Sequence, residues 1–196
     1  MKLKNPKSLF AICAALTACL AHADDSVTLG QKQANIATDI FVESCVAHPG
    51  NNKASADWAK QKGMQPANDK FTADVLRGRP GQVWGASSPE GQFILVLSEP
   101  MCSVWARQAD AAGVEQNMQK IIKNIKRPGT KVKSLVDKTI MEGGLNYHQQ
   151  ATTIINTKEK AQQGLMMIST TTDSTMAPVQ IRLTLSPFTP DAADKK

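Results

Sequence analysis

Two cysteines in the body of the chain, Cys45 and Cys102, most constrain what it can fold into. The sequence has 196 residues and four cysteines, and the other two, Cys13 and Cys19, lie in an amino-terminal segment that has the features of an export signal. An even pair of cysteines in an exported protein indicates one disulfide. Closing the long loop between Cys45 and Cys102 would stabilise the fold by about 4 kcal/mol in the chain-entropy model. It would also tie the first predicted helix to a predicted central strand.

A second interpretation makes Cys45 a nucleophile. His48 follows it by three positions and would share its helical face if the helix continued that far. Oxidation in the periplasm would consume the thiol that this chemistry needs. A metal site at the same two residues lacks a second pair of ligands at suitable spacing anywhere in the sequence. We therefore expect no metal and no cofactor.

The amino-terminal segment is typical of a secretory signal. Three lysines within the first seven residues precede an apolar run over 9–20, and Ala21-His22-Ala23 supplies small residues at the positions that signal peptidase requires. A twelve-residue helix rises only about 18 Å, well short of a hydrocarbon core of about 30 Å, so a permanent span is not expected. We predict that residues 1–23 are a signal peptide and that the mature protein is soluble in the periplasm.

A second processing site overlaps the first. Leu16-Thr17-Ala18-Cys19 resembles a lipobox, in which cleavage before Cys19 would make that cysteine the lipidated first residue. Lipidation would tether the domain to the outer membrane without changing its fold, and this anchor is the one membrane contact we expect. The two cleavages exclude each other for any one molecule, and the sequence leaves both open.

The charge of the whole chain overstates how basic the mature protein would be. The chain has 23 basic and 17 acidic residues, a net charge of +6, and removal of 1–23 takes away three lysines, which leaves 20 against 17 and a net charge of +3. So small an excess gives little support to binding of nucleic acid. We expect no nucleic-acid partner.

Hydrophobic spacing predicts an α+β fold in which a mostly antiparallel sheet packs against two or three helices. Apolar residues recur at helical spacing over 31–46, over a shorter segment around Trp58 that ends near Gly63, and over 113–125; residues 68–76 fit either a helical turn or an extended segment. Strands are predicted at 82–86, 92–98, 101–109, 131–137, 146–156, 165–172 and 179–186. A single domain would cover about 28–188, and 189–196 would form a disordered tail.

The sequence carries none of the common catalytic signatures. It has no Gly-x-Ser-x-Gly elbow, no phosphate-binding glycine loop, no Ser-x-x-Lys motif and no His-Glu-x-x-His helix. Beyond the signal, its histidines are His48 and His148. These features favour a non-catalytic protein; the alternative is a small periplasmic hydrolase that acts on cell-wall or lipid substrates through one of these histidines.

One cluster of positive charge is a candidate binding patch. Six cations occur within 120–133 with no acidic residue among them, namely Lys120, Lys123, Lys126, Arg127, Lys131 and Lys133. Such a cluster is either a solvated helix face or a landing surface for an acidic protein or an anionic envelope polymer. Trp105 joins it as a candidate contact residue, because strand alternation puts it on the side opposite Cys102 and Val104.

Four short motifs carry a resemblance to a known group of proteins: Phe41-Val42-Glu43-Ser44-Cys45, Asp57-Trp58-Ala59, Gly81-Gln82-Val83-Trp84 and Cys102-Ser103-Val104. Together with the signal or lipobox, they are similar to a proteobacterial family of small exported proteins or lipoproteins of unknown function. The resemblance covers about 36–125. It implies export and a pairing of Cys45 with Cys102, and it assigns no catalytic residue. Our interpretation is an envelope protein that binds another envelope or secreted protein, as immunity proteins and inhibitors do.

Overall fold

A computed structural model describes residues 27–157 and 164–190. The predicted signal peptide at 1–23, the candidate lipidation site Cys19 and residues 191–196 of the predicted tail lie outside the described residues. Of that tail, Thr189 is exposed and Pro190 is buried.

The described residues form four α-helices and one antiparallel sheet of eight strands. The helices are α1 (Leu29–Phe41), α2 (Asn52–Gln61), α3 (Asp69–Leu76) and α4 (Ala111–Ile125). The strands are β1 (Gln65–Pro66), β2 (Gln82–Ser88), β3 (Gly91–Ser98), β4 (Met101–Ala106), β5 (Thr130–Glu142), β6 (Leu145–Asn156), β7 (Gly164–Thr171) and β8 (Ile181–Phe188). Their order in the sheet is β1-β2-β3-β4-β8-β7-β6-β5. The predicted fold class is confirmed, including the disulfide.

Each helix starts at a side chain that accepts a hydrogen bond from a free backbone N–H of the first turn, which is the role that short polar side chains fill best. The capping residues are Thr28 for α1, Asn51 for α2, Asn68 for α3 and Asp110 for α4. The cap at Asn68 explains why a segment with a weak apolar pattern is helical. Leu76 is the buried residue of α3, so periodicity alone did not decide between a helix and an extended segment.

The main core lies between one face of the sheet and the layer of α1 and α4. Phe93, Leu95 and Leu97 point from β3 into this core, at every second position of the strand. After α1 the chain continues as a π-helical turn over Val42–Val46, in which Ala47 N donates to Val42 O. Cys45 lies in this turn and is bonded to Cys102 of β4, with the two Cα atoms 5.4 Å apart.

The opposite face of the sheet is covered in part by α3, where Leu76 packs with Val83 and Val96 in a smaller apolar cluster. Five strand spacings separate β3 from β5, which would be about 24 Å in a flat sheet. Val96 of β3 and Ile140 of β5 nevertheless line the same cavity on this face. The sheet is therefore strongly curled, and we call this side its concave face.

Among the described helices, none combines the length and the apolar character that crossing a bilayer would take.

Candidate functional site

The concave face contains a cavity of about 300 Å³ that strands from both halves of the sheet line. We call it the concave groove and define it by Arg79, Trp105, Ile140, Glu142, Ile168 and Arg182. Arg79 precedes β2 in the chain, and the other residues belong to β4, β5, β7 and β8. The curl of the sheet thus brings together residues that are far apart in sequence.

Arg182 is the central charged group of the concave groove. Ile181 and Leu183 on either side of it are fully buried in the core, so the alternation of β8 directs Arg182 to the concave face. Its Nη1 donates to Glu142 Oε1 at 3.3 Å and its Nη2 donates to Glu142 Oε2. The guanidinium carbon also lies 5.3 Å from the centre of the Tyr147 ring, within the range of a cation–π contact.

One donor of Arg182 has no partner. Its Nε is buried and makes no hydrogen bond within the described residues. Buried polar atoms are usually paired, so this unpaired donor is an exception within the described residues.

The floor of the concave groove is a set of hydroxyl groups that bond to one another. Trp105 Nε1 donates to Ser103 Oγ at 3.0 Å. Ser103 Oγ donates to the carbonyl oxygen of Leu183 at 2.9 Å and lies 2.7 Å from Thr184 Oγ1. In the described part of the chain, no imidazole is hydrogen-bonded to these hydroxyls.

The electrostatics of the concave groove favour an anion. The hydrogen bonds from Arg182 lower the pKa of the Glu142 carboxyl below its usual range, and the positive charges of Arg182 and Arg77 add to this effect. Arg79 contributes a further positive charge to the lining. The lining thus has one carboxylate, Glu142, and two guanidinium groups, those of Arg79 and Arg182.

A larger cleft of about 530 Å³ lies between α2 and the start of β2. Its charged residues include Lys53 and Asp57, whose Nζ and Oδ2 are 3.1 Å apart, and Lys60 with Glu99. Two positive and two negative charges leave this cleft without a net preference. The concave groove, with Arg79 and Arg182 against Glu142, has a net positive lining.

The structure divides the predicted basic patch between two faces of the sheet. Lys120, Lys123, Lys126 and Arg127 are exposed on α4 and just after it. Val132 of β5 packs against the main core, so its neighbours Lys131 and Lys133 lie on the concave side. A binding role for the six cations stays a prediction. Trp105 is half-buried on the side that alternation predicts and belongs to the concave groove.

The two histidines have different surroundings. Within the described residues, no hydroxyl or carboxylate is hydrogen-bonded to the His48 side chain, and α1 and its π turn end before it. His148 has both ring nitrogens engaged, with Nδ1 2.6 Å from Glu115 Oε1 and Nε2 2.7 Å from Asp137 Oδ1. The interpretation of Cys45 as a nucleophile is wrong, because its sulfur is bonded to Cys102.

The described residues also hold no group of three histidine, cysteine or carboxylate side chains placed to bind one metal ion. Around His148 the two carboxylates lie at opposite ring nitrogens and do not converge on a common point.

Sequence reasoning missed the residues at the centre of the concave groove. The alternation of Ile181, Leu183 and Leu185 was a usable signal that Arg182 faces away from the core. Nothing in the local sequence signals its pairing with Glu142, which is 40 residues away.

Comparisons with family models, curated proteins and solved structures find no match to this chain. The resemblance to exported proteins of unknown function therefore stays a prediction, and the site has to be interpreted from its own chemistry.

Proposed function

We propose that this chain is a non-catalytic binding protein of the bacterial envelope, and that it binds another envelope or secreted protein through the concave groove, as immunity proteins or inhibitors do. The observation that carries the proposal is the groove itself. It combines an aromatic ring, aliphatic side chains and an arginine in one cavity. Tryptophan and arginine in a partly enclosed site are the residues that most often dominate a protein interface.

The chemistry around the concave groove supports binding over catalysis. The hydroxyls of Ser103 and Thr184 are bonded to one another. His148 faces α4 on the other side of the sheet, and carboxylates engage both of its ring nitrogens. The alternative of a periplasmic hydrolase draws no support from these contacts.

The location in the envelope rests on the sequence and on the disulfide. Disulfides persist in oxidising compartments such as the periplasm, and Cys45 and Cys102 are fully or almost fully buried as a bonded pair. Mass measurement of the chain isolated from the envelope tests this part of the proposal. A mature amino terminus at Asp24 indicates a soluble protein and a lipidated Cys19 indicates a tethered one, whereas an intact leader contradicts export.

Site-specific photo-crosslinking in intact bacteria tests the binding surface. A photoreactive residue replaces Ile168 in the concave groove, and in a matched variant it replaces Lys123 on the exposed side of α4. We expect one discrete protein to crosslink from position 168 and not from 123. Crosslinking from position 123 alone would assign binding to the basic patch, and no specific crosslink from either would contradict a binding function.

The crosslinked protein is then purified and its affinity for the full mature chain is measured. Trp105→Ala should weaken the complex by about 2 kcal/mol or more, as expected for a central aromatic contact, and Lys123→Glu should leave it within about 0.5 kcal/mol. Trp105→Phe keeps an aromatic ring at this position, so it should weaken the complex less than Trp105→Ala does. This variant separates the loss of an aromatic contact from a loss of folding. Equal affinities for all these variants would exclude the concave groove.

A further inference from the structure

The Arg182–Glu142 pair has the geometry of carboxylate recognition. Two parallel N–H donors of the guanidinium meet the two oxygens of one carboxylate, which is the arrangement that proteins use to select carboxylates at interfaces. In this molecule the chain itself supplies the carboxylate.

Glu142 is attached so that it can leave. It is the last residue of β5, and the turn after it consists of Gly143 and Gly144 with φ of 58° and 80°, a left-handed backbone that glycine adopts without strain. Its side chain is 48% exposed, whereas that of Arg182 is 28% exposed. The carboxylate can thus move into water while the guanidinium stays against Tyr147.

Exchange of one carboxylate for another would cost little. Ion pairs with this much exposure contribute weakly to stability, because water and side-chain entropy offset the attraction. An incoming carboxylate would inherit the two Nη donors of Arg182 that now bond to Glu142. Ile168 and Trp105 beside the guanidinium offer an apolar wall to the residue next to that carboxylate.

We propose that the concave groove recognises a glutamate or aspartate side chain in an acidic, partly apolar segment of the partner protein. The two Nη donors of Arg182 would bind the partner's carboxylate, which would displace the carboxylate of Glu142. This inference rests on the proposed function and names the chemistry of the partner. The pairing of a positively charged lining with an apolar wall favours such a segment over a uniformly apolar one.

The test uses the full mature chain and a defined probe, the peptide leucine-glutamate-leucine with an acetylated amino terminus and an amidated carboxyl terminus. Binding is followed by the NMR resonance of the Arg182 Nε–H group and by titration. We expect that resonance to shift on binding, and Glu142→Gln to tighten binding about fivefold because the internal competitor is gone. Arg182→Lys should abolish it, since an ammonium group lacks the planar fork.

Two controls make the outcome specific. Glu43→Gln breaks another exposed ion pair, in which Glu43 Oε2 lies 2.6 Å from Lys62 Nζ, and should leave peptide affinity unchanged. A peptide with glutamine in place of glutamate should not bind. Equal binding of the glutamine peptide, or unchanged or weaker binding by Glu142→Gln, would overturn the inference. If only a glutamine peptide with a free carboxyl terminus bound, the recognised carboxylate would be a chain terminus, and recognition of a side chain would be overturned.

The result is separable from that of the proposed function. If position 168 crosslinks a partner while Glu142→Gln and Arg182→Lys leave its affinity unchanged, the groove is the binding surface and only the carboxylate inference fails.

Discussion

At the scale of single residues, His148 shows how a titratable group joins separate elements. It lies in β6, and its two carboxylate partners are Glu115 in α4 and Asp137 in β5. Thr171 of β7 donates to the same Glu115 oxygen at 2.9 Å. The hydrogen bond to Glu115, and then that to Asp137, raises the pKa of the His148 imidazole above its ordinary value. Through its two hydrogen bonds the His148 ring therefore links a helix to the sheet.

Replacement of His148 by glutamine should make stability less dependent on pH. Because folding raises the pKa of this histidine, its contribution is fully present below the unfolded pKa of about 6.5 and is lost as pH rises through the folded pKa. The wild type should exceed His148→Gln in stability at about pH 6, and the difference should shrink towards about pH 9. Urea unfolding at several pH values measures it.

A second variant checks the cause of this pH dependence. Glu115→Gln removes one of the two carboxylates, so it should reduce the slope and leave part of it. If the difference in free energy of unfolding between the wild type and His148→Gln grew with pH, stabilisation by a protonated His148 ring between its two carboxylates would be contradicted.

At the scale of elements, two glycines near β2 should respond very differently to a methyl group. A Cβ at Gly81 would overlap the carbonyl oxygen of Leu97, a backbone atom that cannot move aside cheaply. A Cβ at Gly85 would find its nearest neighbour, the carbonyl oxygen of Gln65, at 3.9 Å, which is an ordinary contact. We expect Gly81→Ala to lower the free energy of unfolding by about 1–3 kcal/mol, and Gly85→Ala to change it by less than about 1 kcal/mol.

Denaturant unfolding of the two alanine variants measures these costs under the same conditions. Similar stability of both would mean that the start of β2 is not as closely packed against Leu97 as the structure has it.

The elements that the sequence predicts well are those whose contacts are local. Helix α4 has a long apolar stripe that includes Val114 and Met118, and both are buried. The short helix α3 has no such stripe, and its helical state depends on the cap at Asn68 and on contact with β2 and β3. The π turn at Val42–Val46 follows α1 without a break in the apolar pattern, so spacing alone predicts one continuous helix.

At the scale of the whole molecule, the disulfide joins the turn after α1 to the middle of the sheet. The two cysteines are 57 positions apart, so the bond restricts a long loop of the unfolded chain. A Cys45→Ala, Cys102→Ala double variant should lose about 2–5 kcal/mol of stability. Thermal unfolding of the variant and of the wild type, with and without reductant, measures the loss. If full reduction left the thermal stability of the wild type unchanged, a stabilising role of the disulfide would be contradicted.

The concave groove could not be predicted from the sequence, for a physical reason. It exists because the sheet curls, and the curl depends on which strands pair. Residues 102–106 of β4 pair with residues 181–185 of β8, a partnership that no short window of sequence encodes. Trp105 was foreseeable as a residue that faces away from Cys102, whereas Glu142 and Arg182 became partners only through the complete pairing order.

That strand order also means that the sheet is complete only when the last strand in sequence has paired. Among the described strands, β8 is the last in sequence, and it occupies an inner position in which it pairs with β4 on one side and with β7 on the other. It thereby joins β2–β4 to β5–β7. Until β8 is in place, the edges of β4 and β7 that face it lack their partner strand, so the sheet closes only with the final strand. Truncation before Ile181 would leave two unjoined half-sheets, each prone to pair with a neighbouring copy.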